Sequence, residues 1–410
     1  MKRKTGTIFL ALVIPALLWG CTEDKPERNE ETTVLTYMAV GSGNNSYIGK
    51  SVMDQVQDKF PNVKIEALLY SEEQYYTVLK ARLATGNGPD LFSIQPGYAG
   101  ATGVISLAEA GYLEPVTELE CIRERLGGEG TRKLLTSSGE VYSVSFGTMA
   151  LGVLYNKELF DRYCISVPNC WEEFLECCEK LKQHGIQPLI QGSRNVEVHQ
   201  KGLYQIAVNR LYEKNPDYEK ELREGKAKFT DQDTWDEVLE MYTGLYDKGY
   251  LQPDTVFLYP EEASRKLNQG EAAMMFEIGS PIGNNNFGFF PLPGNDRGKK
   301  IRCSIGEMGG VGIYSGTEHM ELCKEILNEV VWPVTETERE NVENGFEDYG
   351  PSSFYTVDGN YDTESWFPPC NQEWINEVEI VLEEKLGEYI TGHSITILDI
   401  TKAMQAELEK

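Results

Sequence analysis

The sequence predicts an α/β fold that is built on a parallel β-sheet. Residues 34–38, 63–69 and 91–94 read as three strands, and helical patterns of apolar residues over 47–60 and 72–83 separate them. Parallel strands that are joined by helices pair through right-handed crossovers and are buried on both faces. With 410 residues, the chain is long enough for two compact domains.

The third strand follows a sharp corner in the chain. A Gly-Asn-Gly-Pro run at 86–89 ends the preceding helix, and Asp90 is expected to brace the corner. In open α/β sheets, ligands bind beyond the carboxyl ends of the strands. Gln95 and Tyr98 follow the third strand, so they are predicted to lie at the rim of a cleft.

The rest of the chain continues the alternation of strand and helix patterns. Glycine, proline and polar residues separate the elements. Further strands are predicted at 139–144, 151–157, 188–190, 272–276, 287–292 and 310–314. Further helices are predicted at 102–111, 171–181, 202–212, 233–248, 263–268, 318–331, 374–386 and 395–408.

The N-terminus has the pattern of an export signal. Basic residues at positions 2–4 precede an apolar stretch at 8–18, which is too short for a resident membrane helix. This pattern predicts a signal peptide over residues 1–20. Residues 21–33 are polar and charged, as expected of a linker between a membrane and a folded domain.

The end of the signal peptide, Leu18-Trp19-Gly20-Cys21, resembles the lipobox of bacterial lipoproteins. In that family the cysteine becomes the first mature residue and carries the lipid, which implies lipidation of Cys21 and attachment to the membrane. Trp19 is bulkier than the residue that lipoboxes usually have at this position. An unmodified Cys21 after an ordinary signal peptide is the alternative.

The formal net charge of −27 argues against a nucleic-acid partner. Phosphate contacts need a basic face, and no run rich in lysine and arginine exists beyond the leader. The acidity indicates a solvated surface whose parts repel one another and resist aggregation.

The cysteines and histidines do not form a recognisable metal-binding pattern. Besides Cys21 there are eight cysteines, an even number that permits disulfides in an exported chain, but no pair has C-x-x-C spacing. The four histidines are scattered. We therefore predict thiols that are mostly buried, with one or two disulfides as the alternative, and no metal site and no cofactor.

Sequence motifs for catalysis are weak. Between Gly43 and Gly49 lie five residues, whereas the phosphate-binding loop that ends in Gly-Lys-Ser needs four. A glycosidase would need two carboxylates across the scissile bond, but with 65 Asp and Glu residues such pairs occur throughout the chain.

Four blocks of sequence together carry a family resemblance. They are Leu83–Phe92, then 152–188 with its Tyr155-Asn156-Lys157, then 268–274, and finally 309–313. In this order and spacing, they resemble the extracellular carbohydrate-binding proteins of ABC importers, the solute-binding family that includes maltose-binding protein. Cys170 stands where that family usually has a threonine that caps a helix.

The resemblance implies a periplasmic-binding-protein-like fold, in which two α/β lobes are joined by hinge strands and a ligand cleft lies between them. It places residues 34–145 and 287–332 in the N-terminal lobe. It places residues 146–286 and 333–410 in the C-terminal lobe.

The ends of the predicted strands, matched to the family, give a set of candidate ligand-binding residues. A sugar offers apolar ring faces that suit aromatic side chains, and hydroxyl groups that suit carboxylates and amides. The predicted ligand-binding residues are Asn44, Asn45, Gln95, Tyr98, Met149, Ser193, Arg194, Glu197, Glu277, Ser280, Tyr349 and Phe354.

The function that the resemblance implies is that of a lipid-anchored receptor on the extracellular face of a bacterial membrane. Such a protein is expected to be a monomer that captures a sugar or an oligosaccharide by hinge closure and delivers it to a membrane permease, without catalysis. One alternative is a receptor for another solute, such as a peptide or a polyamine. A secreted carbohydrate-active enzyme is the less favoured alternative.

Overall fold

The computed structural model describes residues 32–41, 55–97, 103–125, 136–137, 139–145, 148–194, 196–279, 286–307, 309–331, 361–362, 374 and 376–410. Two mixed β-sheets, each with its own hydrophobic core, form the body of this part of the chain.

The described strands are two to nine residues long. They are β1 (Thr33–Val40), β2 (Val63–Tyr70), β3 (Leu91–Ile94), β4 (Thr136–Ser137), β5 (Glu140–Val141), β6 (Val144–Ser145), β7 (Thr148–Asn156), β8 (Gln187–Leu189), β9 (Ala272–Ile278), β10 (Phe287–Phe290), β11 (Ile301–Arg302), β12 (Ile305–Glu307), β13 (Gly310–Ile313) and β14 (Tyr361–Asp362).

The described α-helices are α1 (Glu72–Ala84), α2 (Val104–Glu109), α3 (Glu120–Arg125), α4 (Lys157–Arg162), α5 (Trp171–Gln183), α6 (Gln200–Arg210), α7 (Tyr218–Arg223), α8 (Trp235–Asp247), α9 (Pro260–Asn268), α10 (Met320–Ile326), α11 (Asn376–Ile390) and α12 (Ile397–Leu408). Short 3-10 helices span Val196–His199 and Pro253–Phe257, and a π-helical turn over Leu327–Val331 follows α10. Residues 55–59 are also helical. No helix in this part of the chain has the length and hydropathy that a membrane span requires.

The first sheet has the strand order β2-β1-β3-β13-β6. β1 is parallel to both β2 and β3, as the sequence predicts, while β13 runs antiparallel to β3 and β6. Leu35, Phe92 and Ile313 have 2% exposure or less in its core. Burial of such side chains contributes about 1.5–3 kcal/mol each. The neighbouring residues Leu91 and Phe92 are both buried, so β3 is covered on both faces.

The second sheet has the strand order β10-β7-β9-β8, with β12 paired to the start of β7. Helices α5, α6 and α8 supply large buried side chains that pack on it, including Phe174, Tyr204 and Trp235. Gly202 permits the close approach of α6, because a Cβ there would lie 2.6 Å from the Tyr242 ring and 2.9 Å from the Phe276 ring. The aromatic residues of the predicted helices are therefore core residues.

The described chain crosses between the sheets twice, at adjacent positions. It leaves the first sheet at Ser145 and enters the second at Thr148, and it returns between Glu307 and Gly310. The two crossings run antiparallel, since Thr148 pairs with Glu307 on one side and Ser145 pairs with Gly310 on the other. This double crossing joins the two sheets.

The sequence predicts that residue 287 begins the return to the first lobe, whereas the structure places Phe287–Phe290 in the second sheet. Phe287 pairs with Asn156 and Phe290 pairs with Val153, so β10 belongs to the second sheet. Phe290 packs in the core of that sheet. An apolar strand buried on both faces fits either sheet, so its sequence alone does not reveal its partner.

Most other predicted elements are confirmed within a few residues at each end. The predicted helix at 102–111 is shorter, spanning Val104–Glu109. Cys170 takes the N-cap position of α5, but its side chain makes no capping hydrogen bond. The Glu173 carboxylate instead accepts a hydrogen bond from the Asn169 backbone N–H at 2.8 Å.

The seven described cysteines carry thiols and form no disulfide with one another. For this part of the chain, this confirms the prediction of thiols rather than disulfides. Six are buried and Cys164 is exposed. Burial raises the pKa of the Cys177 and Cys323 thiols to about 12, so these thiols are protonated at neutral pH. Cys21 and Cys370 lie outside the described residues.

The Asp90 carboxylate braces the corner before β3, as the sequence predicts. It accepts hydrogen bonds from the Thr36 backbone N–H at 2.7 Å and from the Thr36 hydroxyl at 2.8 Å. It also accepts one from the Thr317 hydroxyl at 2.5 Å. Asp90 therefore ties β1 to the segment that follows β13.

We expect Asp90→Ala to lower the free energy of unfolding by about 2 kcal/mol, because the Thr36 N–H and two hydroxyls lose a charged acceptor. Denaturant titration measures this change. Asp161→Ala, which removes an exposed carboxylate from α4, is the matched control and is expected to change stability by less than about 0.5 kcal/mol. Equal stability of the two variants would show that the brace contributes nothing.

Candidate functional site

The carboxyl ends of strands in both sheets lie next to the double crossing. In the first sheet, Ile94 at the end of β3 pairs with Gly310, which also pairs with Ser145. In the second sheet, Ile278 at the end of β9 pairs with Leu151. Ser145 and Thr148 are three peptide units apart, which is at most about 11 Å. The two sheet edges therefore adjoin at the crossing, where ligands of open α/β sheets bind.

Gln95 lies at the edge of the first sheet. It is exposed, and its backbone carbonyl accepts a hydrogen bond from the Val104 N–H at 2.8 Å, which fixes the backbone after β3. Gly309 passes close by: a Cβ on this residue would lie 2.4 Å from the Ile94 carbonyl oxygen and 3.5 Å from Gln95 Oε1. Gly309 thus lets the returning strand approach β3 and leaves the Gln95 amide at the sheet edge.

Glu277 lies at the corresponding edge of the second sheet and forms an ion pair with Lys201 in the first turn of α6. The two side chains are 27% and 20% exposed, respectively. Glu277 Oε1 also accepts a hydrogen bond from the Ile278 N–H at 2.8 Å. A carboxylate acceptor and an ammonium donor are thus held side by side, in a partly desolvated position where their hydrogen bonds to a ligand are strong.

Lys201 was not found from the sequence. Its position in the chain could have indicated it, because the first turn of a helix that follows a β-strand lies near the carboxyl ends of the strands.

Ser193 is buried, with 1% exposure, rather than open to the cleft as predicted. The reason is its backbone, because its N–H donates to the Thr255 carbonyl at 3.0 Å and the segment 253–257 covers it. Nearby, the Gln191 amide oxygen accepts a hydrogen bond from the Phe276 N–H at 3.2 Å, and its Nε2 donates one to the Phe276 carbonyl at 3.1 Å. These two hydrogen bonds extend the pairing of β8 with β9.

Arg194, a predicted ligand-binding residue, is exposed at this edge. Its N–H donates to the Leu258 carbonyl at 3.0 Å. Its guanidinium carbon lies 4.3 Å from the centre of the Tyr259 ring, which is a cation–π geometry. Tyr259 was not predicted to be part of the site.

A buried imidazole supports the segment between β8 and α6. His199 Nδ1 and the Tyr242 hydroxyl are 2.9 Å apart. Burial lowers the pKa of His199 to about 4, so its ring is neutral at pH 7. His199 is therefore a structural residue beneath the site.

The remaining predicted site residues are described only in part or not at all. Met149 and Glu197 have described backbones, in β7 and the 3-10 helix 196–199, but their side chains lie outside the described residues. The other predicted site residues outside the described part of the chain are Asn44, Asn45, Tyr98, Ser280, Tyr349 and Phe354. Of the predicted set, the structure thus places Gln95 at the edge of one sheet and Arg194 and Glu277 at the edge of the other.

Within the described ranges, no group of three or more His, Cys, Asp or Glu side chains is arranged to hold a metal ion. The chemistry that the site offers is hydrogen bonding by an amide, a carboxylate and two cations beside an aromatic ring. Such a set suits a ligand with many hydroxyl groups.

Comparison with known proteins gives a consistent family assignment. A model of the bacterial extracellular solute-binding protein family matches residues 43–331. An uncharacterized ABC transporter extracellular-binding protein of Pyrococcus horikoshii is 25% identical over 285 residues, covering 64% of this chain and 61% of that protein. The multiple sugar-binding protein of Streptococcus mutans is 26% identical over 184 residues, covering 44% of this chain and 41% of that protein. The chain thus aligns with less than two thirds of the length of either relative.

Among solved structures, a sugar transporter protein from Bacillus licheniformis in complex with stachyose superposes with a TM-score of 0.69. It shares 17% sequence identity, and the superposition covers 92% of this chain and 99% of that one. This similarity confirms the predicted periplasmic-binding-protein-like fold.

Proposed function

This chain belongs to the bacterial extracellular solute-binding proteins, and from that premise we propose that it is an ABC-importer receptor that captures a sugar or an oligosaccharide. The observation that carries the proposal is the placement of Gln95 and of the Glu277–Lys201 pair at the two sheet edges that adjoin at the double crossing.

Each of these side chains has a role that suits a sugar. The Glu277 carboxylate accepts hydrogen bonds from sugar hydroxyls, the Lys201 ammonium donates to hydroxyl oxygens, and the Gln95 amide does both. Only a closed form lets both sheet edges contact the ligand, so binding favours closure about the double crossing. No bond in the ligand is made or broken.

We further propose that the two sheets are the cores of two lobes. The first lobe comprises residues 34–145 and 310–332, and the second comprises 146–307 and 333–410, which moves the return crossing from 287 to 308–309. In this proposal Cys21 carries a lipid that holds the monomer at the extracellular face of the membrane, where it delivers its ligand to the permease.

A thermal-shift screen tests the proposed function. Purified protein is heated with mono- and oligosaccharides, peptides and polyamines, and each saccharide mixture is analysed for products. A saccharide at a free concentration of one hundred times its Kd is expected to raise the free energy of unfolding by about 2.7 kcal/mol. This increase raises the melting temperature by a few degrees. Hydrolysis of the saccharide would contradict the receptor, and stabilisation by a polyamine or a peptide alone would replace the sugar.

A further inference from the structure

Two aromatic side chains are exposed together beside the cleft edge of the second sheet. Phe257 is 68% exposed and Tyr259 is 45% exposed. Leu258, between them, packs against the buried cluster that includes Ile190, Leu267 and Met275. The backbone is extended here, with φ/ψ of −85°/136° at Leu258 and −75°/154° at Tyr259. Phe257 ends the 3-10 helix 253–257, and it and Tyr259 are exposed on either side of Leu258, which packs inward.

The backbone holds this aromatic pair against the cleft edge. Arg194 and Ser193 donate backbone hydrogen bonds to Leu258 and Thr255, each at 3.0 Å. Gly192 lies so close that a Cβ there would be 2.4 Å from the Pro260 Cα. The segment after β8 and the segment before α9 are therefore packed backbone to backbone, which fixes where the two rings stand relative to the end of β8.

The chemistry of this surface is that of a carbohydrate contact. The exposed rings offer flat apolar faces for the C–H groups of a sugar ring. The Arg194 guanidinium stacks on the Tyr259 ring. Because the N–H donors of a guanidinium lie in its own plane, stacking leaves them available to the hydroxyl oxygens of a sugar. Arg194 connects this surface to the edge that carries Glu277. The segment that contains Arg194 follows β8, and β8 and Gln191 pair with β9, the strand of Glu277.

We propose that Phe257, Tyr259 and Arg194 form an outer saccharide subsite at the β8 end of the cleft, so that the preferred ligand is an oligosaccharide rather than a monosaccharide. The proposal rests on the proposed sugar-binding function and adds the ligand's length to it. One sugar unit contacts the Glu277–Lys201 pair, and a later unit of the same chain lies on the aromatic pair.

The test is calorimetric titration of the full chain with two series of saccharides of increasing length. One runs from galactose through melibiose and raffinose to stachyose, and the other from xylose to xylotetraose. Affinity is expected to rise with length in the series that binds. Tyr259→Ala and Phe257→Ala are each expected to lower the affinity of the longer members about tenfold and to leave that of the shortest bound member unchanged.

Two variants serve as controls for this test. Tyr259→Phe keeps the ring face and is expected to retain the affinity of the natural chain. Leu398→Ala removes an exposed apolar side chain from α12 and is expected to change nothing. Melting temperatures of all variants confirm that they are folded.

The outcomes separate the inference from the function on which it rests. Equal affinity for short and long saccharides, or unchanged length dependence in both alanine variants, would overturn the outer subsite and leave the receptor intact. Absence of binding to either series would remove both the subsite and the proposed specificity for sugars.

Discussion

The double variant Gln95→Ala/Glu277→Ala is expected to lose saccharide binding by at least about a hundredfold. Each substitution removes hydrogen bonds from one edge of the site, and the Glu277 change also leaves the Lys201 ammonium without its partner. Hydrogen bonds that involve a charged group contribute about 1.5–3 kcal/mol each, and a hundredfold loss corresponds to about 2.8 kcal/mol. Calorimetric titration with the saccharide found in the thermal-shift screen measures the loss.

A matched control makes this result specific. Gln183→Ala/Glu176→Ala removes the same two residue types from exposed positions of α5 and is expected to keep full affinity. Both double variants are expected to melt within a few degrees of the natural chain without ligand. If the Gln95/Glu277 variant binds as tightly as the control, neither residue belongs to the site.

Glu219 is expected to make stability fall as pH rises toward neutrality. Its carboxylate is buried in the core of the second sheet and accepts hydrogen bonds from the Tyr212 hydroxyl at 2.5 Å and the Trp374 indole at 2.6 Å. Burial raises the pKa of Glu219 from 4.5 to about 7, although these two hydrogen bonds and the charge of Arg223 oppose the shift. The carboxyl group is thus largely protonated in the folded protein at pH 5.5.

The sign of the effect follows from the raised pKa. Between pH 4.5 and 7 the unfolded chain releases the Glu219 proton while the folded chain keeps it, so unfolding becomes easier as pH rises. The stabilisation is complete below pH 4.5 and is lost as pH rises to about 7. A pKa difference of about 2.5 corresponds to about 3 kcal/mol.

Comparison with Glu219→Gln isolates this contribution. His199, whose pKa is lowered to about 4 by burial, acts in the opposite direction, since the folded protein loses stability as pH falls from 6.5 toward 4. It is present in both proteins, so the difference between their unfolding free energies reports on Glu219. That difference is expected to fall by about 3 kcal/mol from pH 4.5 to 7. A difference that does not change with pH would contradict the assigned burial.

The sequence predicts the fold well because local signals agree with the final structure. The Gly-Pro corner before β3 and the apolar stripe of α5 each indicate one element, and both are found there. Long-range pairing is less visible. β10 is apolar on both faces, so its sequence does not distinguish pairing with β7 from a place in the first sheet.

The candidate site is predicted only in part, because strand ends are visible in a sequence but the packing above them is not. Gln95 and Glu277 follow apolar strands, and the sequence places both at an edge. Ser193 follows the same rule but is covered by the 3-10 helix at 253–257. Tyr259 contributes to the edge only because Gly192 lets two distant segments pack backbone to backbone.

One bound saccharide is expected to contact both sheets at once. A structure determined with the saccharide from the thermal-shift screen tests this most directly. The expected result is a sugar that accepts or donates hydrogen bonds within about 3.2 Å of the Gln95 amide in the first sheet and of the Glu277–Lys201 pair in the second. A sugar that touches only one sheet, or that lies away from the double crossing, would contradict the account.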